Sequence, residues 1–231
     1  MIFRSPRFRK PLTLLGLVLF ASVCRADPDA EAILSAARVN PLGSQIALKA
    51  QLRTGSTSTP FRIVVDGAVR YQFEKPDQEL ILELNEDGSV LSERTGGRTA
   101  PVKPARFDSS VRGTGVTYED LALRFLYWKH PRILAEETVR GRKAWKIEVQ
   151  SGRDSSQYGV ARLWVDKESG ALLRIEGYNR DGRLLRRFEV VSAQKLDGQW
   201  MLKQMRVEML DPATKKVINR TYLEVLGRED V

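Results

Sequence analysis

The stretch Thr117–Trp128 (TYEDLALRFLYW) decides how the rest of the chain can fold. Tyr118, Leu121, Phe125 and Trp128 recur every three or four residues, which places them on one stripe of a helix. The leading Thr is a favourable N-cap, and the two acids that follow suit the positive end of a helix. We therefore predict a helix over 117–128 with almost no polar face. It either fills the open side of a curved sheet or forms a lid over an apolar cavity.

The sequence on both sides of this helix predicts strands, so a sheet must cover its apolar side chains. Apolar and polar residues alternate over 45–53 with the period of two that is typical of a half-buried strand, and further strands are predicted at 60–65, 68–74, 79–84 and from 133 to 226. Short turn sequences such as Asp66-Gly67 separate the strands. We count about ten or eleven antiparallel strands, enough that the sheet must curl strongly or close. The polar stretch Gly96–Asp108 is predicted to be the longest loop.

A second helix is predicted at Asp27–Arg38, with Asp27 as its N-cap and Pro28 in its first turn. Two helices of about eleven residues are each about 16 Å long, which is small for the apolar side of such a sheet. Either the sheet closes on itself or a cavity remains.

Residues 1–26 have the pattern of a cleaved signal peptide, which implies export. A basic start precedes the apolar run Leu12–Phe20, and small residues at Cys24 and Ala26 favour cleavage after Ala26. Nine apolar residues are too few to span a bilayer. Cys24 offers an alternative as the lipid-bearing residue of a bacterial lipoprotein, although Val23 fits that processing site poorly.

Removal of the leader lowers the net charge from +9 to +4, because five basic residues and no acids are lost. Charges of both signs are interspersed in the remaining 205 residues, so we predict no nucleic-acid surface. Cys24, the one Cys, is also lost, and a chain without disulfides must be stabilised by its core. We predict a single domain over 27–231.

The sequence contains little that could support catalysis, and we predict neither an enzyme, nor a metal site, nor a cofactor. His130 is the one His, and its position at a helix end favours a capping or exposed role. A zinc site would need ligands that the mature chain lacks. Glu136 and Glu137 are adjacent in a strand and point to opposite faces, so they do not form a catalytic pair.

The apolar faces of two strands predict where a cavity would be lined. Trp145, Ile147 and Val149 alternate with polar residues in one strand. Met201, Met205 and Val207 do so in another, with Lys203 as an exception in the apolar register. Met side chains adapt to variable apolar shapes, although ordinary core packing is the simpler explanation of these residues. A register error of one residue would place these side chains on the other face.

Four stretches of the chain resemble the LolA-like outer-membrane lipoprotein-sorting protein family. They are YEDLALRFLYW (118–128), ETVRGRKAWKIEV (137–149), ARLWVDKESGALLRIEGYNRDGRLLRRFEV (161–190) and DGQWMLKQMRVEMLDPATKKVINRTYLEV (197–225). The resemblance implies a mainly β fold with two helices, a single incomplete antiparallel β-barrel with a helical lid over an apolar cavity. Leu121, Phe125 and Trp128 would form the inner face of the lid.

The resemblance also implies a function. We expect a non-enzymatic periplasmic carrier that binds the acyl chains of lipoproteins or lipids and helps to move them toward the outer membrane. An inner-membrane transporter would load it and an outer-membrane acceptor would unload it, and we expect a monomer. The alternative is a periplasmic sensor, an interaction module of the same fold that binds its partner through a sheet edge or the convex face.

Overall fold

The computed structural model describes residues 28–38, 45–85, 88–152, 156–196 and 198–229. The predicted signal peptide, with Cys24, and the predicted N-cap Asp27 lie outside these ranges. Helix α1 spans Ala30–Ala36, and Asp29 caps it by accepting a hydrogen bond from the backbone N–H of Glu31. Leu34 of this helix is fully buried in the core.

Within the described residues, thirteen antiparallel strands form one sheet. The first six strands precede the segment quoted above. They are β1 (Ile46–Thr54), β2 (Thr57–Val65), β3 (Val69–Phe73), β4 (Gln78–Asn85), β5 (Gly88–Thr95) and β6 (Arg98–Pro101). The other seven follow it. They are β7 (Arg132–Val139), β8 (Arg142–Gln150), β9 (Val160–Asp166), β10 (Leu172–Tyr178), β11 (Leu184–Leu196), β12 (Gln199–Leu210) and β13 (Val217–Arg228).

The two groups of strands are joined in the middle of the sheet by the first and the last strand. The strand order is β6-β5-β4-β3-β2-β1-β13-β12-β11-β10-β9-β8-β7. Within each group every strand pairs with its neighbours in sequence, and β1 pairs with β13. In the described part of the chain β6 and β7 are the two edges, so the sheet curls without closing. The predicted fold class, an incomplete antiparallel β-barrel with two helices, is confirmed.

The sheet has more strands than the ten or eleven predicted, and one of them lies in the predicted loop Gly96–Asp108. Strand β6 pairs with β5 there, and a 3₁₀ turn follows at Pro104–Arg106. Gly96 and Gly97 both have positive φ, 58° and 77°, which allows the tight turn between the two strands. All four residues of β6 are exposed, so no apolar alternation marks it in the sequence.

The two faces of the sheet differ in chemistry. We call the face that carries the main hydrophobic core the inner face; Leu52, Leu80, Ile147 and Leu163 are buried on it. The opposite, outer face carries rows of Arg and Glu from neighbouring strands. Glu208, for example, is paired with Arg206, Arg220 and Arg187. These carboxylates are buried beneath the guanidinium groups, with Glu208 only 4% exposed.

Glu224 on β13 links this outer network to β1. Its carboxylate accepts hydrogen bonds from Arg53 at 2.7 Å, Gln51 at 2.6 Å and Gln204 at 2.8 Å. The hydrogen bond from the Arg53 guanidinium is the main reason why the pKa of the Glu224 carboxyl is lowered to about 2. Glu224 therefore stays ionised, and its ion pair with Arg53 crosses the junction between the two groups of strands.

We expect Gly177→Ala to lower the free energy of unfolding by about 2 kcal/mol. A Cβ at Gly177 in β10 would lie 2.5 Å from Cε1 of Tyr158, whose ring is fully buried. Gly227→Ala in β13 is the matched control, because a Cβ there meets nothing within 4 Å. Urea denaturation measures both. Equal stability of the two variants would contradict the prediction.

We also expect a pH-dependent contribution from Glu224. A carboxyl with a lowered pKa stabilises the fold above its ordinary value of 4.5, and this stability is lost as the pH falls toward about 2. Glu224→Gln should therefore be less stable than the wild type near pH 7. This difference in the free energy of unfolding should become smaller as the pH falls below 4.5, the ordinary pKa of the carboxyl. Denaturation curves at several pH values test this. Glu168→Gln, with a side chain 86% exposed, is the control, and a pH-independent difference for Glu224→Gln would refute the assignment.

Candidate functional site

The inner face is covered by the residues that link the two edge strands. We call residues 102–131 the connecting segment. It leaves β6 at one edge of the sheet and enters β7 at the other, so it must cross the concave side. Its apolar side chains are buried in the main core, together with those of the sheet. They include Val102, Phe107, Val111, Val116, Tyr118, Leu121, Ala122, Phe125, Leu126 and Trp128.

The predicted helix over 117–128 is wrong in its extent. Helix α2 spans Tyr118–Ala122, and a 3₁₀ turn spans Arg124–Tyr127. Leu123 between them is left-handed, with φ 52°, a conformation that residues other than Gly, Asn and Asp seldom adopt. The break buries both Phe125 and Leu126, at 1% and 2% exposure. Burial of two neighbouring side chains outweighs the helical preference of the sequence.

The predicted lid residues all lie in the core. Leu121, Phe125 and Trp128 are 6%, 1% and 7% exposed. They belong to the same hydrophobic cluster as the sheet residues predicted to face them. In this structure, therefore, the connecting segment occupies the concave side on which we predicted a cavity.

Five of the six sheet residues predicted to line the cavity lie in or against this cluster. Ile147, Val149 and Val207 are fully buried members, and Trp145 and Met205 are half-buried residues packed against them. Met201 is half-buried but is not part of the cluster. A register shift explains this difference. Ser192 pairs with Gln204, but Ala193 pairs with Leu202, so strict alternation along β12 is interrupted at Lys203.

A groove of about 710 Å³ opens where the connecting segment meets β7 and the end of β8. Trp128 forms its apolar wall, and Lys129, His130 and Arg132 add positive or titratable groups. The remaining lining residues are Tyr127, Gln150, Ser151 and Gly152. His130 is exposed and has φ 59°, consistent with the predicted exposed position at the end of this segment.

The acids at the start of α2 belong to a buried polar cluster that the sequence analysis missed. Thr117 and Asp120 form a capping box: the Thr117 backbone N–H donates to the Asp120 carboxylate at 2.8 Å, and the Asp120 N–H donates to Oγ1 of Thr117. Asp120 is nonetheless only 4% exposed and makes further bonds. Tyr158 donates its hydroxyl to Oδ1 at 2.5 Å, and Arg186 on β11 lies 3.6 Å from Oδ2.

Glu119 extends this cluster on the other side of α2. It is fully buried, forms a bidentate ion pair with Arg124 and accepts a hydrogen bond from Oγ of Ser156 at 3.1 Å. The Arg124 guanidinium lies 4.0 Å from the centre of the Phe107 ring. Glu119, Asp120 and Arg124 are the charged residues of this stretch, but two acids in a first turn are explained by the helix dipole alone. The sequence therefore gave no signal of the distant partners Tyr158 and Arg186.

Burial sets the protonation of the cluster. Loss of hydration raises the pKa of both Glu119 and Asp120, and their ion pairs and hydrogen bonds oppose that effect only in part. Burial also raises the pKa of the Tyr158 hydroxyl well above its ordinary value, so the phenol remains a hydrogen-bond donor. The arrangement holds α2 on the sheet.

The connecting segment is held to the sheet mainly by side chains. Val102 donates its backbone N–H to the Leu91 carbonyl, and from there to β7 the described backbone–backbone hydrogen bonds stay within the segment. Hydrogen bonds that involve side chains join the segment to the sheet instead. Arg186 donates to the Gly115 carbonyl, and the Gly115 N–H donates to Oγ1 of Thr221. The segment is therefore anchored without a β-ladder.

The described residues contain no group of three or more His, Cys, Asp or Glu side chains that could hold a metal ion. Glu136 and Glu137 have separate partners: Glu136 pairs with Lys167, whereas Glu137 binds Lys146 and the indole N–H of Trp164. No helix in the described ranges combines the length and apolar character needed to cross a bilayer.

Comparison with known proteins finds one matching family model and several solved structures with a similar fold. A family model with the description "Uncharacterized protein" matches residues 97–226, more than half of the chain. This range contains the whole connecting segment and the seven strands that follow it, apart from the last two residues of β13. No curated protein matches the sequence.

Three solved structures share the fold at 17% sequence identity. An outer membrane lipoprotein-sorting protein domain from Vibrio parahaemolyticus superposes with a TM-score of 0.69, covering 87% of this chain and 91% of that one. A LolA superfamily protein from Nitrosomonas europaea gives 0.63, with 89% and 96% covered. A DUF1329 family protein from Desulfovibrio piger gives 0.60, with 84% and 90% covered.

We expect Asp120→Ala to lower the free energy of unfolding by about 3 kcal/mol, because it leaves the buried Arg186 guanidinium without its carboxylate. The control is Glu168→Ala, which removes an exposed partner of Arg142 and should cost less than about 1 kcal/mol. Chemical denaturation of the two variants measures the difference. A cost for Asp120→Ala as small as that of the control would show that the cluster does not hold α2.

Proposed function

We propose that this chain, which shares the fold of LolA-like proteins, is a non-enzymatic periplasmic carrier of acyl chains. It would bind the acyl chains of lipoproteins or lipids and help to move them toward the outer membrane. An inner-membrane transporter would supply the ligand and an outer-membrane acceptor would receive it, with the carrier acting as a monomer.

One observation supports this proposal more than any other: the connecting segment, which covers the inner face, has no β-ladder to the sheet. Side-chain contacts can be broken and re-formed without opening any strand pair. Displacement of Leu121, Phe125 and Trp128 would open the hydrophobic cluster that also contains Ile147, Val149 and Val207 of the sheet. An acyl chain could then replace the apolar side chains that the displaced segment removes.

The energetics of an acyl chain are sufficient for such an exchange. Transfer of a chain of fourteen carbons from water to an apolar site contributes about 0.8 kcal/mol per methylene, or about 10 kcal/mol in all. The cost of opening the segment, which includes the contacts of the buried polar cluster, is subtracted from this value. Release would then require a receptor or closure of the segment, because unassisted dissociation from so apolar a site is slow.

Mass spectrometry of the protein purified from a bacterial periplasm without detergent tests the proposal directly. We expect co-purifying acylated species in near-stoichiometric amounts, and their masses identify the class of ligand. A protein that carries no lipid and also fails to bind an added fluorescent fatty acid would refute the carrier function.

A pair of methionine variants locates the binding surface. Met205→Glu places a charge against the core cluster on the inner face and should weaken fatty-acid binding by at least about tenfold. Met209→Glu is the matched control, because Met209 is a half-buried residue of the same strand outside that cluster. Circular dichroism establishes that each variant is folded. Unchanged affinity in a folded Met205→Glu protein would exclude the inner face as the site.

The sensor remains a second candidate because of one feature, the edge strand β7. Its eight residues pair with β8 on one side, and in the described structure no strand pairs with the other side. An extended peptide could add to this edge. A lipid-free protein that binds a periplasmic protein tightly, with binding lost on Ala135→Pro in β7, would favour the sensor over the carrier.

A further inference from the structure

The end of the β11–β12 hairpin projects beyond the neighbouring strand. Pairing of β10 with β11 reaches Glu189, and β10 begins only at Leu172, opposite the middle of β11. Residues 192–196 of β11 therefore extend past β10, which at about 3.3 Å per residue amounts to roughly 17 Å. On the other side, β12 is flanked by the end of β13.

This projecting end exposes large apolar side chains. Trp200 is 71% exposed, more than any other large hydrophobic residue in the described part of the chain, and Leu226 on β13 is 61% exposed. Met201 and Leu202 beside them are half-buried. We call these four residues the Trp200 patch. Closer to the middle of the sheet, the outer face instead carries the paired Arg and Glu side chains described above.

The charges around the Trp200 patch are predominantly positive. Lys195 and Lys203 are exposed, and in the described structure neither has an acidic partner. The Lys195 ammonium lies 5.5 Å from the centre of the Trp200 ring. The nearby acids Glu224 and Glu229 are neutralised by Arg53 and Arg62. Asp197, in the turn itself, lies outside the described residues.

We propose that the Trp200 patch is a docking surface for a membrane that contains anionic phospholipid. Trp favours the interface between headgroups and acyl chains, and Lys beside it interacts with lipid phosphates. A narrow projecting hairpin end can enter a bilayer surface, whereas it offers little area to a second protein. The four residues of the patch lie outside the hydrophobic cluster of the inner face, so this proposal does not depend on acyl-chain binding.

Flotation with large unilamellar vesicles tests the proposal at low salt. We expect the protein to bind vesicles of phosphatidylethanolamine and phosphatidylglycerol, with a blue shift of tryptophan emission. Binding should be weaker to phosphatidylcholine alone and at high salt. Trp200→Ser should reduce binding by about tenfold, and Lys195→Gln with Lys203→Gln should reduce it only on anionic vesicles.

Ile218→Ser is the matched control, because Ile218 is 59% exposed at the opposite end of β13. It should leave vesicle binding unchanged, and so should Met205→Glu, which separates this surface from the proposed acyl site. Absence of vesicle binding, or an equal loss in Ile218→Ser, would overturn the proposal. So would a dimer in sedimentation analysis that Trp200→Ser dissociates, since the patch would then belong to a second copy of the chain.

Discussion

The architecture depends on one constraint: a thirteen-stranded sheet curls around an apolar inner face but does not close. An open concave face of this kind cannot remain in water, because its Leu, Ile, Val and Phe side chains would lose the burial that stabilises the core. The strand order solves this problem, because consecutive strands β6 and β7 lie at opposite edges of the sheet. The residues that connect one sheet edge to the other must cross the concave side, and this crossing covers it.

Two kinds of interaction hold the connecting segment in place. Apolar contacts supply most of the burial but specify no single position. The bonds of Asp120 to Tyr158 and Arg186 are directional and lie on one side of α2. They fix the segment at a defined place without joining it to the sheet as a strand. In the carrier that we propose, such a cover can leave the inner face while every strand pair stays intact.

The sequence predicted the periodic features well and the non-local ones poorly. Alternation of apolar residues identified most strands, and the stripe through Phe125 and Trp128 identified the cover. Strand β6 has no apolar alternation, so nothing distinguished it from a loop. The break at Leu123 and the position of Met201 depend on tertiary burial and on a register shift between β11 and β12. The partners of Asp120 come from β11 and from the turn before β9, and no local pattern reveals such distant contacts.

The pairing of β1 with β13 has a consequence for how the chain reaches this structure. Contacts within β1–β6 and within β7–β13 are local and can form early, whereas Leu52 must find Leu223 across most of the chain length. Until that step, β1 and β13 each present an unpaired strand edge, in addition to β6 and β7. Folding intermediates therefore have four open edges instead of two, and they are the species most exposed to aggregation.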